Sequence, residues 1–240
     1  MGGLITETFY TPPECVEADE LRVEGEEARH MSRVLRTRQG EIVRVVDGKG
    51  TAYRVQVVES ARGAVRCRIL SRAERELEHP RSLTLGVALL KNPARFDLLV
   101  EKATELGVCS IVPLVSARTI PRQARAGRWH QIAIAAMKQS GRCVCPVVRD
   151  ATAFAEFLRE GAPGNLRLIP HEQAEAPLTS VAVPGTSSDI SVAVGPEGGF
   201  SDQEIEEARG AGFVPVTLGR RRLRTETAAL TAAALLLSLD

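Results

Sequence analysis

The chain has 240 residues, 44% of them hydrophobic and 25% charged, with a formal net charge of +1 at pH 7. These proportions describe a folded globular protein and exclude a disordered chain or a polycation acting through bulk charge. Of the 31 basic residues only Lys49, Lys91, Lys102 and Lys138 are lysines. Guanidinium groups suit bidentate contact with phosphates and base edges, although GC-rich coding also enriches arginine.

Five cysteines (Cys15, Cys67, Cys109, Cys143, Cys145) have neither CxxC spacing nor a second pair to complete a metal site, so they read as reduced thiols and no metal is expected. MGGLITETFYTPPE lacks a basic n-region and an apolar core, so no signal peptide is read there. The longest apolar run, LTAAALLLSL, is about half of the ~20 residues a membrane span requires. A cytoplasmic chain without membrane attachment is expected.

In chain order, EGEEARHMSRVLRTRQGE predicts one short helix ending at Gly40. EIVRVVD, the turn DGKG, TAYRVQVVES and AVRCRIL predict a β-meander. SRAERELEHPRS, charged and closed by proline, reads as a linker over 72–81. Beyond it, β-like runs (LTLGVALL, SIVPLV, CPVV, LRLIP, ISVAV, FVPVTLG) alternate with helical stretches from ARFDLLVEKATELG to TETAALTAAALLLSL. That alternation predicts a mostly parallel sheet covered on both faces, so an α/β domain at 82–240 follows a small β-barrel-like domain at 1–72.

Ligands of open α/β sheets lie outside the carboxyl ends of the strands. Three strand ends here carry Gly, Pro or polar residues: LRLIPHEQA, ISVAV-GPEGG and VTLG-RRRLRTETAAL. In the second, Gly195, Gly198 and Gly199 leave bare backbone, and Ser201 with Glu204 forms a capping box. The spacing fits neither a Rossmann fingerprint nor a P-loop. In the third, Arg220, Arg221, Arg222 and Arg224 surround one leucine, and Thr225 is expected to cap the helix that follows. Such a cluster repels itself unless something anionic neutralises it.

GPEGGFSDQEIEEA together with LGRRRLRTETAAL resembles the closing motifs of the SPOUT methyltransferases. More closely, these stretches are similar to the family that methylates N3 of a uridine in 16S ribosomal RNA of the small subunit. HMSRVLRTRQGE, EKATELGV and AAMKQSGR occur in the matching order, so the likeness covers nearly the whole chain. The resemblance implies a PUA-like β-barrel domain, then an α/β domain whose C-terminal part forms a deep trefoil knot, in a homodimer. It further implies S-adenosylmethionine held among three loops: Ile169, Pro170, His171 and Glu172; Gly195, Pro196, Glu197, Gly198 and Gly199; and Leu218, Gly219, Leu223, Thr225, Glu226 and Thr227. The chain departs from the family pattern at Arg220 and Arg222, where proline and an apolar residue are usual, and at Lys138, where glutamate is common.

Methyl transfer to uridine N3 needs a base for the N3 proton or cations for the anionic ring. His30, His79, His130 and His171 are scattered and none reads as a general base. Arg224 is the catalytic candidate, to stabilise the enolate oxygen or hold a phosphate. RNA contacts are expected from Arg29, His30, Arg33 and Arg36, with the arginines on one helix face, and from Arg118, Arg122 and Arg142. Arg118 and Arg122 fall in a basic stretch that runs through Arg125 to Arg128 without an acid. Aromatic residues make up 4%, so recognition of structured RNA by shape and phosphates fits better than base stacking. The alternatives are a transfer RNA base or a ribose 2′-OH as target, or a non-catalytic ribosome-assembly role.

Overall fold

The structure, a computed structural model, describes residues 7–34, 37–61, 63–121, 123–160, 165–182 and 189–238. The chain divides into two compact units. One holds the chain up to Glu78 together with Ile134–Cys145; the other holds His79–Ala133 and Pro146 onward.

The first unit is built on a five-stranded sheet. Its strands are β1 (Thr8–Tyr10), β2 (Glu20–Glu24), β3 (Ile42–Val46), β4 (Thr51–Ala61) and β5 (Ala64–Glu74), in the order β1-β3-β4-β5-β2. The β3–β4–β5 meander follows the predicted runs. Its DGKG turn is closed by Asp47, whose Oδ1 accepts the N–H groups of Lys49 at 2.8 Å and Thr51 at 3.0 Å. Alternate residues Tyr53, Val55 and Val57 of β4 point inward with Val65, Cys67, Leu21, Val23 and Phe9 to make one core. The Thr11 hydroxyl, just past β1, donates to the carbonyl of Arg22 in β2, so the two edge strands approach each other.

Between β2 and β3 a helix is present as expected over Gly25–Val34, but it is not α-helical throughout. Helix α1 (Gly25–Arg29) lasts five residues, and His30–Val34 continues as a π-turn, wider than an α-helical one. The i, i+4, i+7 face expected for Arg29, Arg33 and Arg36 depends on an unbroken α-helical period, which ends at Arg29. Lys138 is also explained within this unit. Its Nζ lies 2.7 Å from a carboxylate oxygen of Glu27, which in turn accepts the Tyr10 N–H at 3.0 Å. Burial pushes the Cys67 thiol up to about 12, and those of Cys143 and Cys145 up to about 11, so none is a nucleophile at neutral pH.

The second unit contains β6 (Ser82–Ala88), α2 (Pro93–Leu106), β7 (Ser110–Val115), the start of α3 (Ala126–Ser140), β8 (Val147–Val148), β9 (Thr152–Ala153), α4 (Phe154–Arg159), β10 (Leu166–Pro170), α5 (Leu178–Val181), β11 (Asp189–Val194), α6 (Asp202–Gly210), β12 (Val214–Val216) and α7 (Thr225–Leu237). The sheet order is β12-β10-β11-β6-β7-β8, with β9 also on β7, and every pairing is parallel. Successive residues Val192, Ala193 and Val194 of β11 are all buried, which requires cover on both faces. Phe154, Phe157 and Leu158 of α4 and Ile205 and Ala208 of α6 pack with Ile169 and Ala193, while α7 packs on β6 and β11. No helix among the described residues is long and apolar enough to cross a membrane.

Candidate active site

Strands β12, β10 and β11 are neighbours and run parallel, so their carboxyl ends, Val216, Pro170 and Val194, face the same way. The loops that follow them are stitched to each other by hydrogen bonds. The His171 N–H donates to the Val216 carbonyl at 3.0 Å, the Thr217 N–H to Ala176 at 2.9 Å, and the Leu178 N–H to Thr217 at 3.1 Å. The Thr225 hydroxyl donates to the Gly195 carbonyl at 2.9 Å. Thr225 is therefore not a cap: it is the first helical residue of α7, and its hydroxyl reaches across to the loop after β11. The arrangement brings all three expected loops together.

The loop after β11 is a closed turn. The Gly199 N–H donates to the Pro196 carbonyl at 2.8 Å, and Gly199 has φ +70°, a left-handed conformation costly for residues with a Cβ. A Cβ on Gly195 would meet the Phe200 nitrogen at 3.2 Å and the Gly199 carbonyl carbon at 3.3 Å, so the turn folds back on that residue. A Cβ on Gly198 would meet only the Arg118 stem, at an ordinary 3.5 Å. Two of the three glycines are thus demanded by the turn itself. The expected capping box is present: Ser201 Oγ accepts the Glu204 N–H at 3.2 Å, and Glu204 Oε2 accepts the Ser201 N–H at 2.8 Å. Pro196 is buried, while Glu197 is exposed.

In the loop after β12, the Gly219 N–H donates to Thr217 Oγ1 at 3.1 Å. Leu218 and Leu223 are half-buried, whereas Arg220, Arg221, Arg222 and Arg224 are all exposed with no acidic partner among the described residues. In the loop after β10, Ile169 is fully buried in the core, so only its backbone is available there. Pro170 and His171 are half-buried and Glu172 is exposed; His171 Nδ1 accepts the Gln173 N–H at 3.4 Å.

Glu226 is the anomaly of the site. It occupies the first turn of α7 and is 7% exposed. Its Oε1 lies 3.7 Å from Arg95 Nε, and its Oε2 is buried without a hydrogen-bond partner among the described residues. An unpaired buried polar atom costs about 1–3 kcal/mol, more when charged. The amide dipoles of the helix start favour a carboxylate but leave that oxygen's bonding capacity unmet. Thr227, next to it, is exposed.

The expected RNA contacts divide. Arg29 and His30 are exposed. Arg36 and Arg122 lie outside the described residues, as does the side chain of Arg33. Arg142 is corrected: it is 3% exposed, and its Nη2 lies 2.7 Å from Glu78 Oε2. Glu78 also accepts the Cys143 and Val144 N–H groups at 2.9 Å, so Arg142 belongs to a buried structural pair and presents no face to RNA. Arg128, expected in a basic loop, lies in α3 and pairs with Asp97 at 2.9 Å. Arg118 is exposed, yet its Nη1 donates to the carbonyls of Gly198 at 2.7 Å and Phe200 at 3.2 Å. Sequence reasoning missed Arg95 and this use of Arg118; neither has a local signal, because both partners come from distant elements.

Comparison with known proteins bears on this site. A family model described as an RNA methyltransferase domain matches residues 77–237, and one described as an RNA methyltransferase PUA domain matches residues 23–70. The chain is 33% identical over 228 residues to the ribosomal RNA small subunit methyltransferase E of Synechocystis sp., covering 93% of this chain and 74% of that protein. Among solved structures, the ribosomal RNA small subunit methyltransferase E of Neisseria gonorrhoeae, bound to S-adenosyl methionine, has 35% identity and a TM-score of 0.86 over 95% of each chain. The crystal structure of a probable rRNA-methyltransferase from Porphyromonas gingivalis has 31% identity and a TM-score of 0.86, covering 97% of this chain and 98% of that one.

Proposed function

We propose, since this chain belongs to the ribosomal RNA small subunit methyltransferase E family, that it transfers a methyl group from S-adenosylmethionine to N3 of a uridine in 16S ribosomal RNA. The observation that carries this reading is the convergence of three loops from adjacent parallel strands onto one another. It is supported by the solved N. gonorrhoeae relative, whose described ligand is that methyl donor.

The residues present fit such a ligand. A cationic amine is the complement that the buried, unpaired Glu226 Oε2 lacks. The backbone after Pro170, the turn from Gly195 to Gly199, and Leu218, Gly219, Leu223 and Thr227 would form the walls around it. When bound, S-adenosylmethionine supplies an electrophilic methyl group on a sulfonium. The protein's task is then to position the acceptor and to stabilise charge on it. Arg224, exposed immediately before α7, is the group assigned to the uracil oxygen that gains charge as N3 loses its proton. Its always-protonated guanidinium can stabilise that oxyanion but cannot take the proton.

The phosphates of the substrate fall to the exposed Arg220, Arg221 and Arg222, and Arg29 and His30 of the first unit are assigned to the RNA as well. The same reading includes the trefoil knot, action in the cytoplasm, and a homodimer that uses α7, where Leu230 and Leu235 are half-buried and Ala234 is exposed.

The test is calorimetric titration with S-adenosylmethionine, followed by incubation with small subunits lacking the modification. A methyl on N3 occupies the pairing edge of uracil, so reverse transcription should stop at one new position. In Glu226→Gln, affinity for the donor should fall about tenfold, the worth of a charge-assisted hydrogen bond. Folded protein that binds the donor but produces no such stop would overturn the N3 assignment.

A further inference from the structure

The carboxyl end of β7 carries a small, rigid turn that the reading above leaves unused. Ser116 and Thr119 are both buried, with their hydroxyl oxygens 2.8 Å apart, and the Ser116 N–H donates to Thr119 Oγ1 at 3.0 Å. From this platform one group reaches the first turn of α6 and another the glycine turn. The Ala117 N–H donates to Glu204 Oε1 at 2.7 Å, and Arg118 Nη1 donates to the carbonyls of Gly198 and Phe200.

The consequence follows from peptide geometry. In a trans peptide the C=O and the next N–H point in opposite directions, so holding both fixes the plane. The Gly198–Gly199 peptide is held by Arg118 at its oxygen and by the Pro196 carbonyl at its N–H. The Phe200–Ser201 peptide is held by Arg118 at its oxygen and by Glu204 Oε2 at its N–H. The Arg118 stem also lies against the bare face of Gly198. Without the guanidinium, both carbonyls lose their partner, and these two planes, which bracket the left-handed Gly199 together with Phe200, are each held from one edge only.

We infer that Arg118 is a positioning residue of the donor site, holding the glycine turn in the shape that receives the methyl donor, and that it is not primarily an RNA contact. The inference rests on reading the glycine turn as a wall of that site. It predicts a division between the two substrates. In the full-length protein, Arg118→Ala should weaken S-adenosylmethionine binding about tenfold, the worth of two modest hydrogen bonds. Its KM for small subunits should stay within about twofold of wild type, since the RNA phosphates keep all their partners. Arg118→Lys should recover part of the affinity, because a single ammonium can serve one carbonyl where the guanidinium serves two. Arg118 is exposed, so both variants should still unfold in one cooperative transition, with a Tm only a few degrees below wild type, which excludes a gross folding defect.

Unchanged donor affinity in Arg118→Ala would overturn the inference, and a raised RNA KM beside it would return Arg118 to the RNA surface. Wild-type protein that binds no donor would overturn the functional reading as well. Wild-type binding that is indifferent to Arg118→Ala would overturn this inference alone.

Discussion

Two loops of the same site, the glycine turn from Gly195 to Phe200 and the arginine loop from Gly219 to Arg224, are organised in opposite ways. In the glycine turn the backbone is held by Pro196, Arg118, Glu204 and Thr225, and glycine is needed where the chain folds onto itself or turns left-handed. In the arginine loop four guanidiniums stand exposed with no acid to meet them among the described residues. The first loop is held by the fold, and the second leaves its charges to solvent or to a ligand. A glycine-rich stretch therefore need not mean bare backbone kept clear for a ligand. Here it mostly records how the turn closes, and the stronger pointers to ligands are the unpaired Glu226 oxygen and the unpaired arginines.

The largest expected effect breaks the satisfied loop. Gly195→Val places carbon atoms where Phe200 N and Gly199 C already crowd, so it should cost about 1–3 kcal/mol of stability. The Tm should drop measurably, and donor binding should disappear with the turn. If Gly195→Val melts like wild type, the turn is looser than its geometry implies.

The unsatisfied loop should behave differently. Replacing Arg220 and Arg222 together by alanine should leave Tm and donor affinity unchanged and weaken RNA binding. Every arginine–phosphate pair removed reduces the slope of log K against log salt by roughly 0.7–0.9. The double variant should therefore have a slope shallower by about 1.4–1.8 in a titration with a 16S ribosomal RNA fragment. An unchanged slope would make these arginines solvated surface, and the comparison would fail.

A control comes from the buried pair in the first unit. Burial raises the Glu78 carboxyl, but hydrogen bonding and charge from Arg142, with the N–H groups of Val144 and Cys143, outweigh it and hold the group below its usual value of 4.5. A depressed folded value means the pair contributes stability above the ordinary carboxylate range and loses it as pH falls through the folded value. The Tm should accordingly decline below about pH 4.5, and Glu78→Gln should flatten that decline while lowering stability at pH 7. An acid profile unaffected by Glu78→Gln would place the titrating groups elsewhere. The smallest effect belongs to Gly198→Ala, whose Cβ would sit at an ordinary distance from Arg118. Its stability should lie within about 0.5 kcal/mol of wild type, unlike that of Gly195→Val.

Much of this was legible in order along the chain. The alternation of apolar runs with amphipathic stretches announced a parallel sheet, and strands ending in Gly or Pro marked the loops that meet at one end of it. The Ser201–Glu204 box was readable because both of its bonds close within one helical turn. Misreadings occurred where a residue's partner lay far away. Arg142 looked like a surface cation until Glu78 enclosed it, and Thr225 looked like a cap until its hydroxyl reached Gly195. The π-turn at His30–Val34 departs from the α-helical period on which the face of arginines was read.

The sequence by itself determined the strands and helices, the strand ends and the local caps, because periodicity, turn residues and capping act over a few neighbouring positions. Tertiary structure alone decided which charges are satisfied. Arg118 finds its acceptors 80 and 82 residues away, and the carboxylate of Glu226 keeps one oxygen without a partner among the described residues. Hydrogen bonds between distant segments leave no periodic trace in the chain. Yet at this site they separate the loop whose backbone the fold holds from the loop whose charges it leaves exposed.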